Sequence, residues 1–263
     1  MILYFSATGN TKLMAETLAE RLNDESADLL LRIKNNDYSE IHSDRPFIIC
    51  SPVYVSELPC FVSDYLKKVS FSGCPDAYGI FTNGGYSGIA GGQLKKIIAQ
   101  KNMRFNGYAE FKLPSNHMTN RSHKDLDETE IINRIKTSLG KVGKVAGIIQ
   151  NGSRFRNRHI FLLEYIVTLP IAPVLCYYTQ GTKGFRAKDN CISCGKCAKL
   201  CPMNVIELNT TTGKEKKMPV WVAERCAHCM SCIQNCPVEA IEYLDITEGR
   251  KRYNVYKYPI AKP

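Results

Sequence analysis

Eight of the twelve cysteines fall into two runs of one spacing, Cys191-x2-Cys194-x2-Cys197-x3-Cys201-Pro202 and Cys226-x2-Cys229-x2-Cys232-x3-Cys236-Pro237, the second displaced by 35 residues from the first. The flanks repeat as well, Pro202-Met203-Asn204-Val205-Ile206-Glu207 answering Pro237-Val238-Glu239-Ala240-Ile241-Glu242. Two related halves imply a pseudo-twofold unit. Thiolates suit zinc or iron–sulfur clusters, but zinc needs only four, and eight in duplicated runs point to two [4Fe–4S] cubanes. Three cysteines at every third position wrap one cubane, while the fourth, read as starting a short helix, points toward the other half. Ligation is therefore expected to cross over: Cys191, Cys194, Cys197 and Cys236 around one cluster, Cys226, Cys229, Cys232 and Cys201 around the other. Cys50, Cys60, Cys74 and Cys176 lack this spacing and read as inert thiols. His228, between two ligands, reads as a loop residue.

A second constellation follows the first apolar run. Ser6-Ala7-Thr8-Gly9-Asn10-Thr11 leads into an amphipathic stretch, so hydroxyls of Ser6, Thr8 and Thr11 and the N–H groups of a helix N-terminus can cradle a phosphate without a lysine, with Gly9 allowing close backbone approach. A turn merely capped by Ser and Thr is the plainer alternative. The chain has neither the Walker lysine pattern nor G-x-G-x-x-G, which favours a mononucleotide over a dinucleotide. Two further loops end predicted strands, Ser51-Pro52-Val53-Tyr54 and Thr82-Asn83-Gly84-Gly85-Tyr86, where open α/β sheets bind ligands. Leu113-Pro114-Ser115-Asn116 ends a third and closes the site.

These loops need a scaffold. Residues 1–150 alternate short apolar strands, Ile2–Phe5, Leu29–Ile33, Phe47–Cys50, Tyr78–Phe81 and Ala109–Leu113, with amphipathic helices, which predicts a doubly wound α/β fold with five parallel strands. Leu58, Phe61, Val62, Tyr65, Leu66 and Val69 make one apolar helical face, and Met14, Leu18 and Leu22 another. Ile131, Ile135, Leu139, Val142 and Ile149 mark a long last helix whose Gly140, Gly143 and Gly147 lower its propensity. The polar stretch Lys34–Asp44 suggests a helix reduced to a turn. The expected organisation is a nucleotide-binding domain at 1–150, an apolar and basic connector at 151–186, a small α+β two-cluster domain at 187–248 with Asn209–Pro219 inserted as a surface hairpin, and a basic tail at 249–263. Residues 160–178 are apolar, but Glu164, Pro170 and Pro173 interrupt them, which favours interdomain docking over membrane-surface contact and disfavours a transmembrane span.

The net charge of +10 is unevenly spread: +2 over residues 1–150, +5 over 151–188, −2 over 189–248 and +5 over 249–263. Connector and tail carry the excess, which weakens a nucleic-acid reading. Met1 runs straight into the first strand, so no cleavable leader is expected, and cysteines spaced for metal rather than disulfides suit the cytoplasm.

The Ser6–Thr11 loop resembles the phosphate loop of flavodoxins, and the cysteine runs resemble bacterial-type two-cluster ferredoxins. The whole is similar to the flavodoxin-ferredoxin fusion family of anaerobic bacteria and archaea. That resemblance implies a flavodoxin-like domain binding FMN, with its phosphate on Ser6, Ala7, Thr8, Gly9, Asn10 and Thr11. It places the flavin ring among Pro52, Val53, Tyr54, Thr82, Asn83, Gly84, Gly85 and Tyr86, with Tyr54 or Tyr86 stacking on it. The function expected is electron transfer between FMN, two [4Fe–4S] clusters and redox partner proteins, docked on the basic connector or tail. The alternative is a flavin-dependent reductase of a small molecule, fed by the clusters. A nucleic-acid or membrane-surface module, the third reading, is motivated by the tail Arg250–Tyr258. The sequence leaves oligomeric state open.

Overall fold

A computed structural model describes residues 1–119, 125–156, 181–210 and 216–259. The first part runs β1 (Ile2–Tyr4), α1 (Asn10–Leu22), β2 (Ser26–Asp28), α2 (Leu30–Lys34), β3 (Ile41–Ser43), β4 (Phe47–Pro52), α3 (Cys60–Lys68), β5 (Phe71–Gly73), β6 (Asp76–Asn83), α4 (Ala90–Gln100), β7 (Arg104–Lys112) and α5 (Glu128–Gln150). Five strands form a parallel sheet in the order β2-β1-β4-β6-β7. That is the doubly wound order, with its switch point between β1 and β4. Alternate residues of β1 and β4 serve opposite faces. Leu3, Phe47 and Ile49 join Phe61, Leu66 and Leu94 under α3 and α4, while Ile2, Tyr4, Ile48 and Cys50 join Met14, Leu18, Ile135 and Leu139 under α1 and α5. Burial on both faces is why these strands read as continuous apolar runs.

The expected strand Leu29–Ile33 is wrong. The strand is Ser26–Asp28, and Leu30–Lys34 is helix. Leu29 N donates the last sheet bond to Tyr4 O, and Asp28 Oδ1 then accepts from Leu30 N at 2.9 Å, which turns the chain into the helix. Leu29 and Ile33 face the core one turn apart, whereas Leu31 is 66% exposed. A short apolar run fits a buried helical turn as well as a strand. β7 begins at Arg104, five residues before the expected Ala109. A separate parallel pair, β3 with β5, was not foreseen. In α5, a Cβ added at Gly140, Gly143 or Gly147 would meet nothing within 4 Å, so these glycines lie on the open face while the predicted apolar positions pack.

The second part contains β8 (Phe185–Ala187), α6 (Lys196–Lys199), β9 (Ile206–Thr210), β10 (Lys217–Trp221), α7 (Ser231–Gln234) and β11 (Ile241–Tyr243). β8 pairs antiparallel with β11, and β9 with β10; the middle of the expected Asn209–Pro219 hairpin lies outside the described residues. The sequence repeat is also a backbone repeat: the positive φ of Ser193, Gly195 and Asn204 recurs at His228, Met230 and Glu239. The fourth cysteine of each run does not start a helix, as expected from spacing; α6 and α7 hold the third cysteine and end just before Cys201 and Cys236. The following proline has no N–H to continue the helix.

Residues 250–258 fold back along both parts. Arg250 pairs with Asp125 at 2.7 Å, and Arg252 with the buried Glu242 at 2.7 Å, while Tyr253 and Val255 are buried. The apolar stretch 160–178 lies outside the described residues. Among those described, no helix is long and apolar enough to cross a membrane.

Candidate functional site

The C-terminal ends of β1, β4, β6 and β7 open onto a cleft of about 250 Å3. Ser6, Ala7, Thr8, Asn10 and Thr11 line it from the first loop, Pro52, Val53, Tyr54 and Val55 from the second, Thr82, Asn83 and Gly84 from the third, and Pro114 to His117 from the fourth. Three expected residues are not on its wall. Gly85 and Tyr86 follow the exposed turn after β6, Tyr86 being 57% exposed. Gly9, at φ +91°, faces the C-terminal segment: a Cβ there would lie 2.5 Å from Val255 Cγ1 and 2.9 Å from Tyr256 Cε2. The close approach that requires this glycine is made by the protein's own tail.

Several cleft residues are fixed by hydrogen bonds. Thr11 Oγ1 and Thr82 Oγ1 lie 2.7 Å apart, Asn10 Nδ2 donates to Pro114 O at 2.9 Å, and Tyr253 Oη donates to Asn10 Oδ1 at 2.6 Å. Asn116 Nδ2 donates to Thr8 Oγ1 at 3.2 Å and to Cys229 O at 3.3 Å. Others have no partner. Ser6 Oγ, Tyr54 Oη and both amide atoms of Asn83 are buried and unpaired, and all three residues line the cleft. An unsatisfied buried polar group costs about 1–3 kcal/mol, so the site is built for a ligand carrying donors and acceptors. Burial raises the Tyr54 pKa well above its usual value, so this hydroxyl remains a donor. The first-turn N–H groups of α1 add the positive end of a helix dipole. Neutral donors at one end and an aromatic and an amide beyond them fit a phosphate-bearing planar ring system such as FMN. Beside Tyr54, Val55 and Ser56 both have left-handed φ, +49° and +66°, in a tight turn closed by mutual Tyr54–Glu57 backbone bonds of 3.0 Å. A β-branched residue there is strained.

The eight repeated cysteines surround two smaller cavities. One is lined by Cys201, Cys226, Cys229 and Cys232; the other by Cys191, Cys194, Cys197 and Cys236. The fourth cysteine of each run thus lines the cavity of the other run's first three. Apolar side chains complete the walls, Met203, Val205, Ile206 and Trp221 in the first, Leu208, Pro219, Val238 and Ile241 in the second. Backbone amides donate to sulfur from His228 to Cys226 at 3.3 Å and from Ala240 to Cys236 at 3.2 Å. Burial pushes the Cys226 and Cys229 thiols up to about 12 and Cys197 up to about 11. Such sulfurs ionise only against a bound positive centre, which iron provides. Among the described residues, no three His, Cys, Asp or Glu side chains close on a point that a single metal ion would occupy. Quartets spread around a larger volume fit a cubane, whose four irons each take one thiolate.

The cleft and the Cys201 cavity share Ala227 and His228 as a common wall. Around it the two parts interlock: Asn235 Nδ2 donates to Ala7 O at 2.9 Å, Gln234 Nε2 to Asn116 O at 2.9 Å, and Val255 N to Thr8 O at 3.0 Å. His228 Nε2 lies 2.9 Å from Gly181 O, and its ring meets Phe185 and Tyr243 edge-on. Burial lowers the pKa of this imidazole.

Residues 2–126 match the family model described as flavodoxin, and residues 190–240 match the model described as a 4Fe-4S dicluster domain. The chain is a flavodoxin–ferredoxin fusion. Its cofactors are FMN and two [4Fe–4S] clusters, and its role is electron transfer. No curated protein matches the fusion. Similar solved structures include a flavoprotein in complex with FMN from Lactobacillus acidophilus, at 20% identity over 41% of this chain and 90% of the other, with a TM-score of 0.30. Another is the two-electron reduced flavodoxin of Megasphaera elsdenii, at 14% identity over 56% and 99%, with a TM-score of 0.33. What sequence reasoning missed in the fusion is the contribution of its second part to the cleft. His228 reads from the sequence as a loop residue and Ala227 carries no signal, because only the packing of one domain on the other gives either a place at the cleft.

Proposed function

We propose that the fusion is an intracellular electron carrier that passes electrons between redox partner proteins, its two clusters and FMN, with the Cys201/Cys226/Cys229/Cys232 cluster next to the flavin. When bound, FMN exchanges electrons singly or in pairs and each cubane exchanges one, so the loaded chain can convert between the two modes. The observation that supports this order is the shared wall. Ala227 and His228 bound both the flavin cleft and the Cys201 cavity, whereas the Cys191 cavity shares no lining residue with the cleft.

The residues of the chain divide the work. Ser6, Thr8 and Thr11, with the first-turn N–H groups of α1, hold the phosphate, and Tyr54 and Asn83 bond the polar edge of the ring. Apolar walls and N–H donors around the thiolates set how readily each cluster takes an electron. The Cys191 cluster, with Cys194 exposed, is the port for partners.

Freeze-quench spectroscopy of a half-reduced sample tests this reading. Cluster and flavin signals should reach equilibrium within one chain without a partner, and failure to equilibrate ends the proposal. Steady turnover of a quinone or nitro compound with a chemical donor would assign the flavin to a reductase instead.

A further inference from the structure

The two cluster sites are equivalent by sequence repeat, but one of them receives a cation from the other domain. Lys34, the last residue of α2, reaches across the domain boundary, and its Nζ lies 3.0 Å from Ala198 O, 2.8 Å from Cys201 O and 2.5 Å from Asn204 Oδ1. Asn204 Nδ2 answers by donating to Lys34 O at 2.7 Å. An ammonium has three N–H donors, and all three have an oxygen. The group is therefore held as a charge, at the backbone of a cluster ligand. The corresponding positions of the other half are Ile233, Cys236 and Glu239. There the latch asparagine is replaced by an exposed carboxylate, and the lysine that does reach a ligand carbonyl of the twin, Lys216 with Nζ 2.7 Å from Cys191 O, is an exposed side chain of the same domain whose charge solvent screens, whereas Lys34 is partly buried.

We infer that Lys34 is a positioning residue that raises the reduction potential of the Cys201/Cys226/Cys229/Cys232 cluster above that of its twin, so that an electron entering the ferredoxin half settles beside the flavin cleft. The inference rests on the ligand sets and cluster order proposed above. A cubane with four thiolates gains a negative charge on reduction, and a nearby cation stabilises the reduced state more than the oxidised one. Coulomb attraction over several ångström at an effective dielectric of about 20 changes such an equilibrium by more than tenfold. The pseudo-twofold supplies two similar centres, and a partly buried lysine from the other domain, against an exposed one at the twin, makes them unequal.

The test is a redox titration of the holoprotein monitored by electron paramagnetic resonance, with iron counted on each sample. Wild type should show two cluster midpoints at least tenfold apart in their one-electron equilibria, about 59 mV. K34Q keeps a donor for the carbonyls but removes the charge, and should lower the higher midpoint by about that amount while the other stays. N204A removes the latch but keeps the charge, and should leave both midpoints in place even if the protein melts earlier. Coincident wild-type midpoints, a measurement that needs no variant, overturn the inference. So do unmoved midpoints in K34Q with full iron, or the same shift in N204A as in K34Q. Iron well below eight per chain in wild type would instead overturn the ligand assignment on which the inference stands. Slow exchange between clusters and flavin with the K34Q shift intact would overturn only the proposed carrier function.

Discussion

Asn83 offers the most direct test of the flavin cleft. Its side chain is buried at the end of β6, lines the cleft, and has no protein partner for either amide atom. Truncation to alanine therefore removes no internal hydrogen bond, and the free protein should be at least as stable as wild type. If the ligand satisfies both amide atoms, two hydrogen bonds of about 0.5–1.5 kcal/mol each are lost, about 1–3 kcal/mol together. That is about a 5- to 150-fold weaker Kd. The assay is quenching of FMN fluorescence by titration with flavin-free protein, run beside Asn106→Ala as a control. Asn106 donates to Asp76 Oδ1 at 2.9 Å, at the opposite end of β6 from Asn83, so its loss should lower thermal stability and leave Kd unchanged. An Asn83→Ala protein that binds FMN within twofold of wild type would refute the assignment of this amide to the ligand.

Gly9→Ala places a Cβ at positive φ against Val255 and Tyr256; left-handed strain of about 1–2 kcal/mol and overpacking of about 1–3 kcal/mol should both appear as a lower denaturation midpoint, and equal midpoints would show that the tail yields. Cys236→Ser should cost the cluster held by Cys191, Cys194 and Cys197 while sparing the flavin-side one, halving an iron content near eight per FMN; loss of the cluster held by Cys226 instead would reverse the crosswise pairing. Burial disfavours the Glu242 carboxylate, but hydrogen bonds from Arg252, Thr247 and Lys188 prevail and hold its pKa below the usual value. Stability from this group is complete above the unfolded carboxylate value of about 4.3 and fades as pH falls through the lower folded one. Glu242→Gln should thus cost about 3–5 kcal/mol near neutrality, through the buried Arg252 left unpaired, with less difference from wild type in acid. Partner docking on the basic stretch around Arg154 and Arg156 should weaken with salt, and a partner rate indifferent to salt would exclude it.

What the sequence made legible follows from how local each signal is. Cysteine spacing fixes a wrapping pattern within a few residues, and the 35-residue repeat carries even the left-handed positions with it. The Ser6–Thr11 loop and the strands β1, β4 and β6 were readable because both faces of each strand are buried and the glycine and hydroxyl residues sit at their ends. Leu29–Ile33 misled because three consecutive leucines have no period of their own, and Asp28 Oδ1, accepting from Leu30 N, decided the matter by turning the chain into the helix. Tyr86 looked equivalent to Tyr54, yet only Tyr54 is drawn inward, by the two-way backbone bonds with Glu57. The remaining gaps are long-range. Ala227, His228 and Lys34 acquire their places from the docking of the two domains, which no spacing within either domain encodes.

The fold-back of residues 253–256 over Gly9 has a consequence for biosynthesis. The Ser6–Thr11 loop leaves the ribosome more than two hundred residues ahead of Tyr253 and Val255, which complete its packing. During translation the nascent N-terminal domain therefore waits with that loop uncovered, and its maturation is tied to the arrival of the iron-binding half.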